Sequence, residues 1–217
     1  METNEQSLRH EAHIHYIAAF IGGFLGIFPI VNAAHFFGSA QTANLIDIVL
    51  DSFAGDWFSI AFDIIGVLLY CMAIILVTFI PKHTRLNVKI LAMAVDCICA
   101  LVMWRFPHPD KLPLNVYLYP TFFAMAFQWS AFKGAYGFVS ATIFSSNNLK
   151  QFVSALTEIF LNGDKSYTLK AKFFGATLLA FHLGVAASGI LWQFLGNAGF
   201  LFVIIPAGAG ALLLKRK

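Results

Sequence analysis

Two short polar stretches carry the residue types suited to recognising a small polar solute. Gly38-Ser39-Ala40-Gln41-Thr42-Ala43-Asn44-Leu45 lies between two strongly apolar segments, and an echo, Thr142-Ile143-Phe144-Ser145-Ser146-Asn147-Asn148-Leu149, follows 104 positions later. In each copy an apolar segment runs into hydroxyl and amide side chains, then an Asn-Leu pair, then an amphipathic run. Such groups donate and accept hydrogen bonds without carrying charge. The candidate substrate-binding residues are Gln41, Thr42 and Asn44 in the first copy and Ser146 and Asn148 in the second, with Gln128, Lys133 and His182 from the flanking segments. Asn32 and His35 are further candidates for a polar path. No Walker loop, dinucleotide fingerprint, nucleophile elbow or zinc motif is present, so neither an enzyme nor a cofactor is expected. His10, His13 and His15 have loose metal-like spacing, but no Cys or paired carboxylate completes a metal site.

The rest of the chain has to position these groups. Of 217 residues 59% are hydrophobic and 12% charged, and the mean hydropathy is +0.75. A soluble domain is nearer a quarter charged, so the composition specifies an integral membrane protein, one membrane domain over residues 1–217, with the lipid bilayer as its first partner. The net charge of +3 does not point to nucleic acid, because the basic residues fall in loops. Cys71, Cys97 and Cys99 lie in apolar segments and read as small buried hydrophobes. Residues 1–11 lack the basic start and small-residue cleavage site of a signal peptide.

A spanning helix needs about 20 mostly apolar residues. The candidates are about 14–37, 58–80, 90–104, 116–141, 171–194 and 199–214. In the first, Gly22 and Gly26 form a small-xxx-small pair that admits another helix, and Pro29 predicts a kink. Pro81 stops the second. Residues 44–53 place Asn44, Asp47 and Asp51 on one helical face and Leu45, Ile46, Val49 and Phe53 on the other; residues 149–161 gather Leu149, Phe152, Val153, Leu156 and Phe160. Both predict amphipathic helices at the membrane interface, ended by Gly55-Asp56 and Asn162-Gly163-Asp164.

Basic residues set the orientation. Arg9, Lys82, Arg85, Lys89, Lys150, Lys165, Lys170, Lys172 and the final Lys215-Arg216-Lys217 fall on one side, against Arg105 and Lys111 on the other. The expectation is an all-α fold of six transmembrane helices in the plasma membrane, both termini cytoplasmic. Three spans precede the Pro-rich connection 105–114 and three follow it. An odd number of spans per repeat inverts the copies, about 14–104 and 115–214, so the two motifs face opposite sides of the bilayer.

Phe36-Phe37-Gly38-Ser39-Ala40-Gln41-Thr42-Ala43-Asn44-Leu45 resembles the Phe-x-Ser-x-Gln/Met-Thr-Gly-Asn-Leu signature of the YoaK-like family, six-span bacterial membrane proteins grouped under a domain of unknown function. Gln128-Trp129-Ser130-Ala131-Phe132-Lys133 is similar to the family's Gln-Asn-Ala-x-Arg/Lys segment, Ser146-Asn147-Asn148-Leu149 stands at its second Thr-Gly-Asn/Thr-Leu, and Phe181-His182-Leu183-Gly184 resembles its Phe-x-x-Gly. The resemblance implies the six-span fold over nearly the whole chain. Ala43 and Asn147 replace motif glycines, and Gly26 stands where the family often has an acidic residue.

Lys133 falls within the fourth predicted span, where an isolated charge costs about 2.5–3.5 kcal/mol and calls for a partner. Asp96 in the third span lies at matching depth, so an intramembrane Lys133–Asp96 ion pair is expected, the alternative being a Lys133 that snorkels to the cytoplasmic interface. His182, mid-span, is a candidate titrating group. Together these features indicate a small-solute transporter or channel with a polar site near the midplane. The alternative is a non-transporting scaffold, receptor or assembly partner whose motifs are helix caps, since Ser and Thr are good N-caps. Assembly as a homo-oligomer is compatible with both.

Overall fold

The computed structural model describes residues 2–32, 36–107 and 113–215. In chain order its helices are α1 (Glu2–Gly26), α2 (Phe28–Val31), α3 (Gln41–Ala54), α4 (Trp57–His83), α5 (Val88–Trp104), α6 (Tyr119–Ala131), α7 (Ser146–Phe160), α8 (Thr168–Leu195) and α9 (Ile204–Lys215). Short 3-10 turns precede α6, α8 and α9, and a small hairpin of β1 (Gly134–Ala135) and β2 (Phe138–Val139) separates α6 from α7.

Among the described residues, three segments are long and apolar enough to cross a membrane by length and composition: Glu5–Val31, Trp57–His83 and Lys165–Lys215, the last containing both α8 and α9. Their outward faces expose Leu68, Met72 and Ile75 on α4, Leu179 and Ile190 on α8, and Ile205 and Leu212 on α9. A continuous apolar exterior of this kind is what lipid solvates and water does not. The fold is therefore all-α and of membrane type.

Local chemistry accounts for most element boundaries. Asp56 caps α4 by accepting from the Ser59 backbone N–H at 3.1 Å, and Asn87 caps α5 through Lys89 at 2.9 Å. Gly55 ends α3 in the left-handed region, φ +74°, which a side chain would resist. The first span, Glu5–Val31, breaks one turn before Pro29, after Gly26, and Pro29 occupies the first turn of α2, where its missing N–H is no loss. Pro81 does not stop α4, which continues to His83.

The largest departure from expectation is in residues 116–141. Helix α6 occupies only Tyr119–Ala131; Phe132 turns extended, and Tyr136 (φ +56°) with Gly137 (φ +78°) forms the two-residue loop of the hairpin. Two consecutive positive-φ residues are the signature of a tight primed hairpin turn. The run Gly134-Ala135-Tyr136-Gly137 carried this signal, but uniform apolarity masked it.

Helix α1 packs on α8 and α4 on α6; α3 lies against α4 and α7 against α8; α5 meets α6 and α9, and α9 meets α1. The α1–α8 crossing depends on two missing side chains. A Cβ at Gly23 would come within 2.0 Å of the Phe181 carbonyl oxygen, and one at Gly184 within 2.0 Å of Phe20's. Gly23, not the Gly22/Gly26 pair, thus seats the neighbouring helix. A Gly184→Val protein should lose about 3 kcal/mol of stability in thermal unfolding in detergent. Gly208→Val, where nothing lies within 4 Å, should unfold like the wild type.

Candidate functional site

The two motif copies meet at the centre of the fold. Ser39 Oγ donates to the Ile143 carbonyl at 2.9 Å, joining positions 104 residues apart, the offset of the two motifs. Each copy also packs on the helix that leads into the other. Gly22 of α1 abuts the Thr142 carbonyl, where a Cβ would stand 2.3 Å away, and Gly38 abuts Thr121 of α6, where it would stand 2.6 Å away. The Gly38 N–H donates to the Gly26 carbonyl at 2.7 Å, fixing the first loop to the end of α1. Gln128, fully buried, donates from Nε2 to the Ala18 carbonyl (2.6 Å) and to Thr142 Oγ1 (2.9 Å).

Two amides remain incompletely used. Gln128 Oε1 and both polar atoms of Gln41 are buried without a protein partner among the described residues. Buried side-chain polar atoms in native proteins nearly always have a partner, so these three atoms are the groups best placed to bind something that is not protein.

The motif asparagines, by contrast, are engaged. Asn44 Nδ2 donates to the Asp63 carbonyl at 3.0 Å. Asn148 Nδ2 donates to the carbonyls of Ala141 (2.7 Å) and Phe144 (3.1 Å), and its Oδ1 accepts from Ser140 Oγ at 2.9 Å. Since Ser140 spends its one proton there, His15 Nε2, 3.0 Å from the same oxygen, must be the donor to it. That leaves His15 Nδ1 as a buried acceptor with no partner among the described residues. Asp63 Oδ1 accepts from Asn115 Nδ2, and Tyr119 donates to the Phe62 carbonyl at 2.8 Å. Ser140 and Asn115 are polar centres that the sequence did not single out, and His15 stands out in the sequence only as part of a loose metal-like spacing. Ser140 was detectable as a small hydroxyl eight residues before Asn148; the His15 partnership spans 125 residues and leaves no local trace.

The remaining candidates disperse. Thr42 and Ser146 are exposed at the starts of α3 and α7. His182 is exposed on α8, its Nδ1 2.8 Å from the Leu178 carbonyl, and faces outward rather than into the centre. Asn32 is buried, donating to the Phe28 carbonyl and Asn197 Oδ1, each at 3.0 Å. His35 lies outside the described residues. The three N-terminal histidines diverge: His10 reaches the Leu213 carbonyl at 3.1 Å, His13 meets the Tyr16 ring, and His15 turns inward.

The expected Lys133–Asp96 ion pair is not formed. Because α6 stops at Ala131, Lys133 emerges in the hairpin and is exposed, while Asp96 is fully buried in α5 with neither oxygen partnered among the described residues. The ion pairs that form among the described residues are Arg9–Glu5 (2.6 Å) and Lys89–Glu11 (3.0 Å). Lys133 instead borders a cavity of about 710 Å³ with Lys82, Trp129 and Ser140; a second, of about 290 Å³, lies between Glu11, Asn87 and Lys89. Neither reaches both Asn44 and Asn148.

Outside the apolar segments, two carboxylates are perturbed by capping. Hydrogen bonds from the Ser59 N–H and hydroxyl lower the Asp56 pKa below 3.8, and those from Ser166 do the same for Asp164. A depressed folded-state pKa contributes stability above the unfolded value that is lost as pH falls through the folded one. Asp56→Asn retains an acceptor for Ser59 but should flatten the stability loss seen in wild type on acidification below 3.8, measured by thermal unfolding against pH.

The geometry defines a class: an all-α, membrane-type protein whose two polar loops cross at a buried centre lined by amides. The chain belongs to the family described as "Protein of unknown function (DUF1275)", whose model matches residues 14–214, in agreement with the resemblance carried by the motifs. No curated protein and no solved structure matches it. If the motif asparagines are structural corners, Asn148→Ala should cost about 1–3 kcal/mol by orphaning two carbonyls and Ser140, while Thr42→Ala stays within about 0.5 kcal/mol in the same unfolding assay.

Proposed function

We propose that the protein is a non-enzymatic small-solute transporter or channel of the bacterial plasma membrane, with six spans arranged as two inverted three-helix repeats and both termini in the cytoplasm. Several relations support the inverted arrangement. Exchanging α1 with α6, α3 with α7, α4 with α8 and α5 with α9 maps the observed packing onto itself: α1–α8 becomes α6–α4, and α3–α4 becomes α7–α8. The amphipathic helices end alike, with Gly55 and Gly163 both at φ +74° and each followed by a capping aspartate. His10 on Leu213 and Glu11 on Lys89 gather the start of α1, the start of α5 and the end of α9 at one end, where the basic residues concentrate.

The observation that carries the transport function is the crossing itself: Ser39 bonded to Ile143, flanked by buried amide atoms of Gln41 and Gln128 that no described protein group satisfies. Uncharged donors and acceptors at a repeat interface suit a small polar solute. A non-transporting scaffold is the alternative, favoured by Asn148 closing on three protein groups and Asn44 on one, as structural corners.

Purified protein in liposomes, tested by stopped-flow light scattering against urea, glycerol and ribitol, separates the two. Transport predicts flux above protein-free vesicles for at least one solute, about ten-fold lower in Gln41→Leu or Gln128→Leu. Folded protein with no flux across the panel would favour the scaffold, and flux unchanged in both variants would remove Gln41 and Gln128 from the solute path.

A further inference from the structure

The cavity of about 710 Å³ stands apart from the motif crossing and has a composition of its own. Its inner wall is apolar, formed by Ile74 and Val77 of α4 and Val88 at the start of α5, and its rim carries two lysines, Lys82 at the end of α4 and Lys133 in the turn before the hairpin. Both lysines are exposed, and the ion pairs of the described residues involve neither. Trp129 and Ser130 complete the rim, the indole 40% exposed, and the hairpin presents Val139, 79% exposed, beside them. An apolar trough opening under two cations, with an indole at its mouth, matches one kind of occupant: two acyl chains below a negatively charged headgroup. A small inorganic anion would leave the apolar wall unfilled, and a zwitterionic lipid would leave the lysines uncompensated.

We infer that this crevice holds one anionic phospholipid, its phosphate between Lys82 and Lys133 and its acyl chains along Ile74, Val77 and Val88. The site also explains why the charge at position 133 is tolerated without Asp96: the headgroup neutralises it at the membrane surface. The inference rests on the membrane placement and not on transport, so a protein without flux would leave it standing.

Native mass spectrometry of the full chain in detergent tests it, using phosphatidylglycerol, phosphatidylcholine and inorganic phosphate as probes. One phosphatidylglycerol per chain should be retained in preference to phosphatidylcholine, and inorganic phosphate should not displace it. Lys82→Gln or Lys133→Gln should weaken retention about five-fold, and the double variant about thirty-fold. Thr78→Trp, which fills the cavity without changing charge, should also expel the lipid, whereas Lys150→Gln with Lys165→Gln, outside the cavity, should leave it bound. Equal retention of both lipids, displacement by inorganic phosphate, or unchanged retention in Lys82→Gln/Lys133→Gln would overturn the assignment; thermal unfolding of each variant establishes that it is folded.

Discussion

A single hydroxyl ties the molecule together at its middle. Ser39 Oγ donates to the Ile143 carbonyl across the fold, and neither loop is held by secondary structure of its own at that point. In an apolar surround a loop backbone must satisfy its polar groups internally. Each loop does so by leaning on the opposite half: the first on Thr121 and Ile143, the second on Gly22 and His15. Glycine at 22 and 38 is then required by contact, because a Cβ at either would enter the neighbouring segment. The two halves are mutually dependent, and the helices around them serve to hold this crossing.

That dependence makes the site unusual in its economy. Most of its polar groups close on protein: Asn148 satisfies three partners and Asn44 one, and the His15–Ser140–Asn148 chain fixes the second loop to α1. Among the described residues, the amides of Gln41 and Gln128 keep unused capacity beside the crossing, as does His15 Nδ1 at the end of that chain. In the proposed transporter, structure and recognition are divided between residue types that look interchangeable in sequence. The asparagines shape the loops, and under that proposal the glutamines would face the solute.

Much of the fold was legible because membrane helices follow one-dimensional rules. Residues 58–80 correspond to α4, 171–194 to α8 and 149–161 to α7, each set by hydropathy, a capping aspartate or an amphipathic face. The echo of the motif was legible too, and Ser39 with Ile143 shows that the copies touch. What escaped has a common cause. In a chain that is apolar on every side, periodicity no longer separates helix from hairpin, so Lys133-Gly134-Ala135-Tyr136-Gly137 read as the continuation of a span. With the helix ending at Ala131, Lys133 moved to an exposed rim and its pairing with Asp96 disappeared. Likewise Gly22, Gly23 and Gly26 are equivalent in sequence, and only the crossing angle of α1 and α8 decides that Gly23 meets the helix while Gly22 meets a loop.

The inverted arrangement would let the two motif copies meet within the membrane while the amphipathic helices that follow them, α3 and α7, end at opposite faces. Ala54 and Asn162 are exposed, and each directly precedes the glycine that ends its amphipathic stretch, which makes them reporters of that arrangement. Single cysteines at Ala54→Cys and Asn162→Cys, in a protein with Cys71, Cys97 and Cys99 replaced by alanine, can be labelled in intact cells with a membrane-impermeant maleimide. The inverted arrangement predicts labelling of the residue 54 variant from outside and of the residue 162 variant only after permeabilisation. Labelling of both from the same side would contradict it.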